Sequence, residues 1–227
     1  MTDQTAQTRP TRPTGWRAAG TAAVVAAALT ATVTPSVAAP AQAPRTAAAA
    51  PAPRTTAPAA AAAGVDYDTW QRDCRAVMDT ALPYVKERIA GSAPGEKQAI
   101  VLDIDNTSLE TDFGFSYPQP ANRPVLDVAA YAQEHGVALF FVTARPGIVG
   151  APTEWNLAHA GYASSGLYVR GFLDLFKDVA VYKTEQRAKI ESKGYTIIAN
   201  IGNSATDLSG GHAERTFKLP DYDGQLS

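Results

Sequence analysis

Two carboxylates stand two residues apart in Asp103-Ile104-Asp105, directly after the apolar run QAIVL. In an extended chain residues i and i+2 share a face, and like charges that close are costly unless a cation lies between them. Hard oxygen ligands of this kind suit Mg²⁺, which keeps several waters. The alternative is a pair of solvated loop acids capping the next turn; QAIVL before them and Asn106-Thr107 after them favour the cation. Further along come Thr143-Ala144-Arg145, Lys183, and Gly202-Asn203-Ser204-Ala205-Thr206-Asp207. Singly, these read as a strand-end threonine, a solvated lysine at a helix start, a turn and a surface acid. Together they offer a hydroxyl, an ammonium, an amide and a third carboxylate.

What would gather them is a sheet. Gln98–Ile104 (QAIVLDI), Val137–Thr143 (VALFFVT), Val179–Tyr182 and Tyr195–Ile201 (YTIIANI) are short and almost wholly apolar. Such runs suit strands buried on both faces. Helical candidates lie between them at Val125–His135, Thr153–Ala160, Thr184–Lys193 and Ala205–Leu208. Alternating strands and helices predict right-handed crossovers and a parallel sheet in a three-layer α/β fold. Sites in such sheets sit at the carboxyl ends of the strands, where all four polar segments are predicted to fall. Asp66 to about Ala90 reads as one long helix with a core stripe from Trp70 to Ile89, kinked at Pro83 and ended at Gly91.

The chain has 227 residues, and its first 64 differ from the rest. They hold five of the 20 Lys and Arg but only one of the 22 Asp and Glu, so residues 65–227 carry a formal charge of about −6. That length supports one domain with a core. An acidic domain without a basic cluster argues against electrostatic nucleic-acid binding, and no nucleic-acid partner is expected. A single Cys excludes an intramolecular disulfide framework and a cysteine-built zinc site. Arg9, Arg12 and Arg17 precede an uncharged Ala/Val stretch from Ala18 to Val33, and Ser36-Val37-Ala38 offers small residues for cleavage, so residues 1–38 read as a secretory signal peptide. Residues 39–64, rich in Ala, Pro and Thr, read as a disordered linker. No apolar run reaches the roughly 20 residues of a membrane span, so no stable membrane anchor is expected once the signal is removed.

Taken in order, Asp103-Ile104-Asp105-Asn106-Thr107, Thr143 in FVTARP, Lys183 in VYKTEQRAKIESKGY, and GNSATDL resemble the four motifs of the haloacid dehalogenase superfamily. The surrounding TEWNLAHAGY, YKTEQRAKIESKGY and NIGNSATDL are similar to its secreted acid phosphatase branch, which includes plant acid phosphatases and vegetative storage proteins. The resemblance covers roughly residues 66–219. It implies a Rossmann-like core with a small cap insertion after the first motif, and Mg²⁺-dependent hydrolysis of small phosphomonoesters through an aspartyl-phosphate. Asp103 would be the nucleophile. Asp105 would protonate the leaving oxygen, with neighbouring anions raising its pKa, and its carbonyl would bind Mg²⁺. Thr143 and main-chain N–H groups, that of Ala144 among them, would hold the phosphoryl oxygens. Lys183 would neutralise charge between nucleophile and phosphate, and Arg145 would contact phosphate or a nearby acid.

The metal set implied is Asp103, Asp105, Asn203 and Asp207, the last supporting the site by orienting Lys183 or a metal-bound water. The fourth motif normally begins Gly-Asp, and here that Asp is Asn203. An amide oxygen ligates without charge, so a higher Mg²⁺ requirement is expected. Two rival readings are a catalytically weak storage or phosphate-binding protein on the same fold, and a phosphotransferase. Phe113, Phe115 and Tyr117 lie in a loop, Glu110–Arg123, that either overhangs the site or folds on its own aromatics. His135 and His159 read as structural and Cys74 as a buried apolar residue, with His212 just past the fourth motif.

Overall fold

The computed structural model describes residues 64–114 and 116–226. The expected signal peptide, all of the expected linker except Gly64, and Phe115 lie outside the described residues. Strand β1 (Lys97–Leu102) is central in a five-stranded sheet with β2 (Ala138–Pro146), β3 (Gly166–Arg170), β4 (Tyr195–Gly202) and β5 (Thr216–Lys218). The order is β3-β2-β1-β4-β5 and every pairing is parallel. This is the predicted α/β, Rossmann-like arrangement.

The apolar runs follow from burial on both faces. Ile100 and Leu102 of β1 join a core with Trp70, Met78, Phe141 and Ile198, whereas Ala99 and Val101 point the other way with Phe140, Tyr182 and Ile190. The first face is covered by α1 (Tyr67–Ala90) and α2 (Arg123–Glu134), and the second by α4 (Val179–Ser192). Helix α3 (Gly150–His159) adds Leu157 to the first core, and the short α5 (Ala205–Leu208) follows β4. Asp66 caps α1 by accepting the Thr69 N–H at 2.8 Å, as a helix N-terminus with orphan N–H groups favours. The α1 stripe Trp70, Cys74, Met78, Ala81 and Val85 is buried, and the helix runs through Pro83 to a cap at Gly91.

Two assignments are corrected. Val179–Tyr182 is the first turn of α4, not a strand. Asp178 caps that helix by accepting the Val181 N–H at 3.1 Å, and Tyr182, Gln186 and Ile190 continue its buried face at helical spacing. An apolar run of four is too short for its period to be read. The strand at that place in the order is instead Gly166–Arg170, a half-buried edge strand in which every position has intermediate exposure. No alternation marks it. The three residues of β5 are likewise too few to leave a pattern.

Candidate active site

The first motif leaves β1 at the carboxyl edge of the sheet. The Asp103 N–H still donates to Ile201 of β4 at 3.0 Å, after which the N–H groups of Thr107, Ser108 and Leu109 converge on the Ile104 carbonyl. The turn needs one left-handed residue, and Asn106 supplies it at φ 51°, a region Asn tolerates better than most side chains. Its side chain exchanges two hydrogen bonds with Asp112, at 2.7 and 3.1 Å. The turn also parts the two acids. Asp103 is buried and faces α4, whereas the half-buried Asp105 carboxylate turns towards β2.

Lys183 projects from α4, not from a strand end, and its ammonium lies between two carboxylates. It donates to Asp103 Oδ1 at 2.6 Å and to Asp207 Oδ1 at 2.5 Å, all three side chains being buried. Burial works against the lysine's charge, but the two acids outweigh it and hold its pKa above the ordinary lysine value. One ammonium cannot neutralise two carboxylates. Burial, followed in weight by the opposing pull of Lys183 and the repulsion of Asp207, leaves Asp103 pushed up to about 7.

Asp207 is fixed from both sides. Its Oδ2 accepts the Ser204 N–H at 2.8 Å within the capping box of α5. Gly202 makes room for it, since a Cβ at that position would fall 2.4 Å from the Asp207 Cβ. One turn after Lys183, the buried Arg187 donates to the main-chain carbonyls of Asp207 at 2.7 Å and Gly211 at 2.9 Å, and also to that of Ser209. Helix α4 thus holds the fourth-motif loop with one side chain and its carboxylate with another. With one oxygen on Lys183 and the other on the Ser204 N–H, Asp207 is placed to orient Lys183.

Arg145 closes the opposite wall. Its guanidinium meets Asp105 in a fork, Nη2 to Oδ1 at 2.7 Å and Nε to Oδ2 at 3.0 Å, and also reaches Thr153 and Gln119, both at 3.1 Å. Thr111 donates to the same carboxylate at 2.9 Å. The expectation that anions crowd Asp105 is therefore corrected: its closest partner is a cation. Arg145 contacts the nearby acid. Thr143 is fully buried, its hydroxyl accepting the Arg145 N–H at 3.1 Å, so Ala144 and Arg145 form the exposed wall there.

These groups surround a cavity of about 470 Å³ lined by Asp103, Asp105, Arg145, Lys183, Asn203 and Asp207 among others. Sequence reasoning did not assign Asn106, Thr111, Asp112, Ser204, Thr206 or Val179, which also line it. Asn106 carried a signal, because an Asn directly after a strand-end acid suits a left-handed turn. Phe113 is buried against Trp70, ring centres 4.3 Å apart, and belongs to the core. Tyr117 is 62% exposed, stacks on Trp155 at 5.3 Å and lines a second cavity that shares Arg145. His135 and His159 contact carbonyls of their own helices, and His212 pairs with Glu191 at 2.5 Å. None of the three lines the main cavity.

Among the described residues no three His, Cys, Asp or Glu side chains gather as a metal-ligand set. The oxygens available are therefore few. Asp103 Oδ2 has no hydrogen-bond partner among the described residues, and Asn203 Oδ1 accepts only from Thr107, at 3.2 Å. Four carboxylates, Asp103, Asp105, Asp112 and Asp207, against Lys183 and Arg145 leave the pocket lining formally negative by two charges. Hard oxygens, one of them charged, with room for water, fit Mg²⁺ better than a softer metal.

A parallel α/β sheet that presents a buried carboxylate beside a lysine at its carboxyl edge defines a Rossmann-like protein with a polar cleft where such sheets carry their sites. A family model described as HAD superfamily, subfamily IIIB (acid phosphatase) matches residues 22–225, and the chain belongs to that family. The soybean (Glycine max) stem 28 kDa glycoprotein is 40% identical over 90 residues, 38% of this chain and 35% of that protein. Acid phosphatase 1 of Solanum lycopersicum is 34% identical over 88 residues, 38% of this chain and 34% of that protein. The matched segment thus spans about a third of the length of these curated relatives. The class C acid phosphatase from Bacillus anthracis shares the fold, with a TM-score of 0.55 and 18% identity over 69% of this chain and 80% of that one.

Proposed function

We propose that the chain is a Mg²⁺-dependent phosphomonoesterase working through an aspartyl-phosphate at Asp103. The observation that carries this reading is the buried Asp103–Lys183–Asp207 triad opening onto the cavity. A carboxylate approaches a phosphate dianion only where the repulsion is cancelled. Lys183 supplies one positive charge at the nucleophile, and Asp207, held by Ser204 and the Arg187-clamped loop, keeps it there. Mg²⁺, held by Asp103, the Asp105 carbonyl and Asn203, would supply the remaining charge compensation and polarise a phosphoryl oxygen.

In the first step an Asp103 oxygen forms a bond to phosphorus as the ester P–O bond breaks, and the departing alkoxide takes a proton that the Asp105 carboxylate relays from solvent. In the second, water attacks phosphorus, Asp105 accepts its proton, and phosphate leaves with Asp103 regenerated. The second cavity, about 330 Å³ and walled by Tyr117, Val149 and Pro152, adjoins through Arg145 and suits the alcohol portion of a small phosphomonoester. The test is hydrolysis of p-nitrophenyl phosphate with added Mg²⁺, together with mass spectrometry of acid-quenched protein. One phosphoryl group is expected on the peptide carrying Asp103. Its absence from a turning-over enzyme would overturn the covalent route. The uncharged Asn203 favours a second reading, a phosphate-binding protein of low turnover, and that reading predicts phosphate binding without hydrolysis.

Arg145→Lys keeps a positive charge and loses the fork that fixes Asp105. We expect kcat/KM to fall by about tenfold to a hundredfold through misplacement of the proton-transfer group, read from steady-state kinetics at saturating Mg²⁺. The N-terminal pattern supports export by the general secretory route. Protein recovered from culture medium is then expected to begin at Ala39, by N-terminal sequencing.

A further inference from the structure

The segment that follows β5 returns to the site and makes contact with Asn203. The Leu219 N–H donates to the Gly202 carbonyl at 2.9 Å, which pins the start of the segment beside the end of β4. Tyr222, Asp223 and Gly224 then take left-handed backbone, at φ 49°, 55° and 81°, and turn the chain back so that the Leu226 N–H reaches the Asp221 carbonyl at 3.1 Å. The Tyr222 hydroxyl ties the turn to Asp73 of α1 at 2.8 Å, and the Leu226 side chain is fully buried in the core beneath α1. The Leu226 carbonyl accepts a hydrogen bond from Asn203 Nδ2. A carbonyl can only accept, so the amide group facing it must be nitrogen. Oδ1 is thereby aimed the other way, towards the Thr107 hydroxyl and the cavity.

We propose that the Leu226 main chain positions Asn203. The docked segment 219–226 holds the amide so that its oxygen is presented to the cation, and residue 203 is an amide because it is matched to this carbonyl. A carboxylate there would set an unprotonated oxygen against the Leu226 carbonyl and leave that buried acceptor unsatisfied. The inference rests on the reading that the site holds Mg²⁺ through Asn203. Groups that orient a metal ligand in this way commonly govern metal affinity by about tenfold to a hundredfold.

The test compares the natural chain with Leu226→Ala, Leu226→Met, Asn203→Asp and the Leu226→Ala/Asn203→Asp double variant. Titration calorimetry with Mg²⁺ alone reads the cation, and hydrogen exchange reads segment 219–226. Leu226→Ala is expected to speed exchange in the segment and weaken Mg²⁺ binding about tenfold, while inorganic phosphate binding at saturating Mg²⁺ stays within about twofold. Leu226→Met, which refills the core, restores both. Asn203→Asp also frees the segment, and in that background Leu226→Ala changes Mg²⁺ affinity by less than about twofold, because the link is already severed. Leu226→Val replaces Leu226→Ala if the alanine variant does not fold. Faster exchange with unchanged Mg²⁺ affinity, or an Asn203→Asp protein whose segment exchanges as before, overturns the positioning role and leaves the phosphatase reading standing. A natural chain that neither binds Mg²⁺ nor hydrolyses a phosphate ester overturns both.

Discussion

Asp103→Asn is expected to remove hydrolysis of p-nitrophenyl phosphate by at least about a thousandfold, since an amide cannot accept phosphorus and loss of a nucleophile is rarely compensated. The same substitution is expected not to lower stability. In the natural chain Asp103 and Asp207 share the single ammonium of Lys183, at 2.6 and 2.5 Å. An asparagine oxygen can still accept from that ammonium, and the remaining Lys183–Asp207 pair is balanced in charge. The pH dependence gives a second readout. The Asp103 carboxyl is pushed up from an ordinary 3.8 to about 7, mainly by burial. The folded state therefore holds that proton more tightly than the unfolded chain. Its contribution is complete below pH 3.8 and is lost as pH rises through about 7. Metal-free natural protein should lose unfolding free energy over that window, and Asp103→Asn should lose less, as measured by denaturant titration at several pH values. An inactive variant that is also less stable at pH 8 would show that Asp103 holds the fold together.

How much of this was legible depends on what each residue answers to. The sequence around β1 reads as a strand because both its faces are buried, which forces an apolar run, and a central parallel strand has no other way to look. β3 lies at the edge with every position half-exposed, so nothing selects its residues strongly and it leaves no pattern. Val179–Tyr182 mimics a strand by residue type alone, because of its four residues only Tyr182 is buried and Val181 is half exposed. Yet Lys183 is legible as a site residue whichever element carries it. A buried lysine needs a partner, and the order of the motifs named Asp103 without reference to α4. Partners outside the motifs were not legible. Arg145 in FVTARP could equally have met an anion or an acid, and only the fold brings Thr153 and Gln119 round it to hold it on Asp105. The Asn203–Leu226 contact joins residues 23 apart; Asp223-Gly224 marks a turn between them, but nothing in that dipeptide says which residue the returning chain will meet.

Lys183→Met should be the most destructive single change in the site, and its cost should depend on pH. Methionine fills much of the same volume but leaves Asp103 and Asp207 buried beside each other with no cation. Removing one partner of a buried ion pair costs about 3–5 kcal/mol because the other charge is left uncompensated. Both carboxyls then gain by binding protons, so the deficit relative to the natural chain should shrink as pH falls. Activity should fall below detection at every pH, since an Asp103 that has taken up a proton is no nucleophile and an ionised one has lost the charge that lets phosphate approach. Adding Asp207→Asn separates the two roles. It removes one of the stranded charges, and its side-chain oxygen can still accept the Ser204 N–H that fixes α5. Lys183→Met/Asp207→Asn is therefore expected to recover roughly half or more of the lost stability and none of the activity, measured by denaturant unfolding and by p-nitrophenyl phosphate turnover on the same preparations. If the double variant stays as unstable as Lys183→Met, the lysine's stabilising role lies in its packing against the fourth-motif loop and not in its charge.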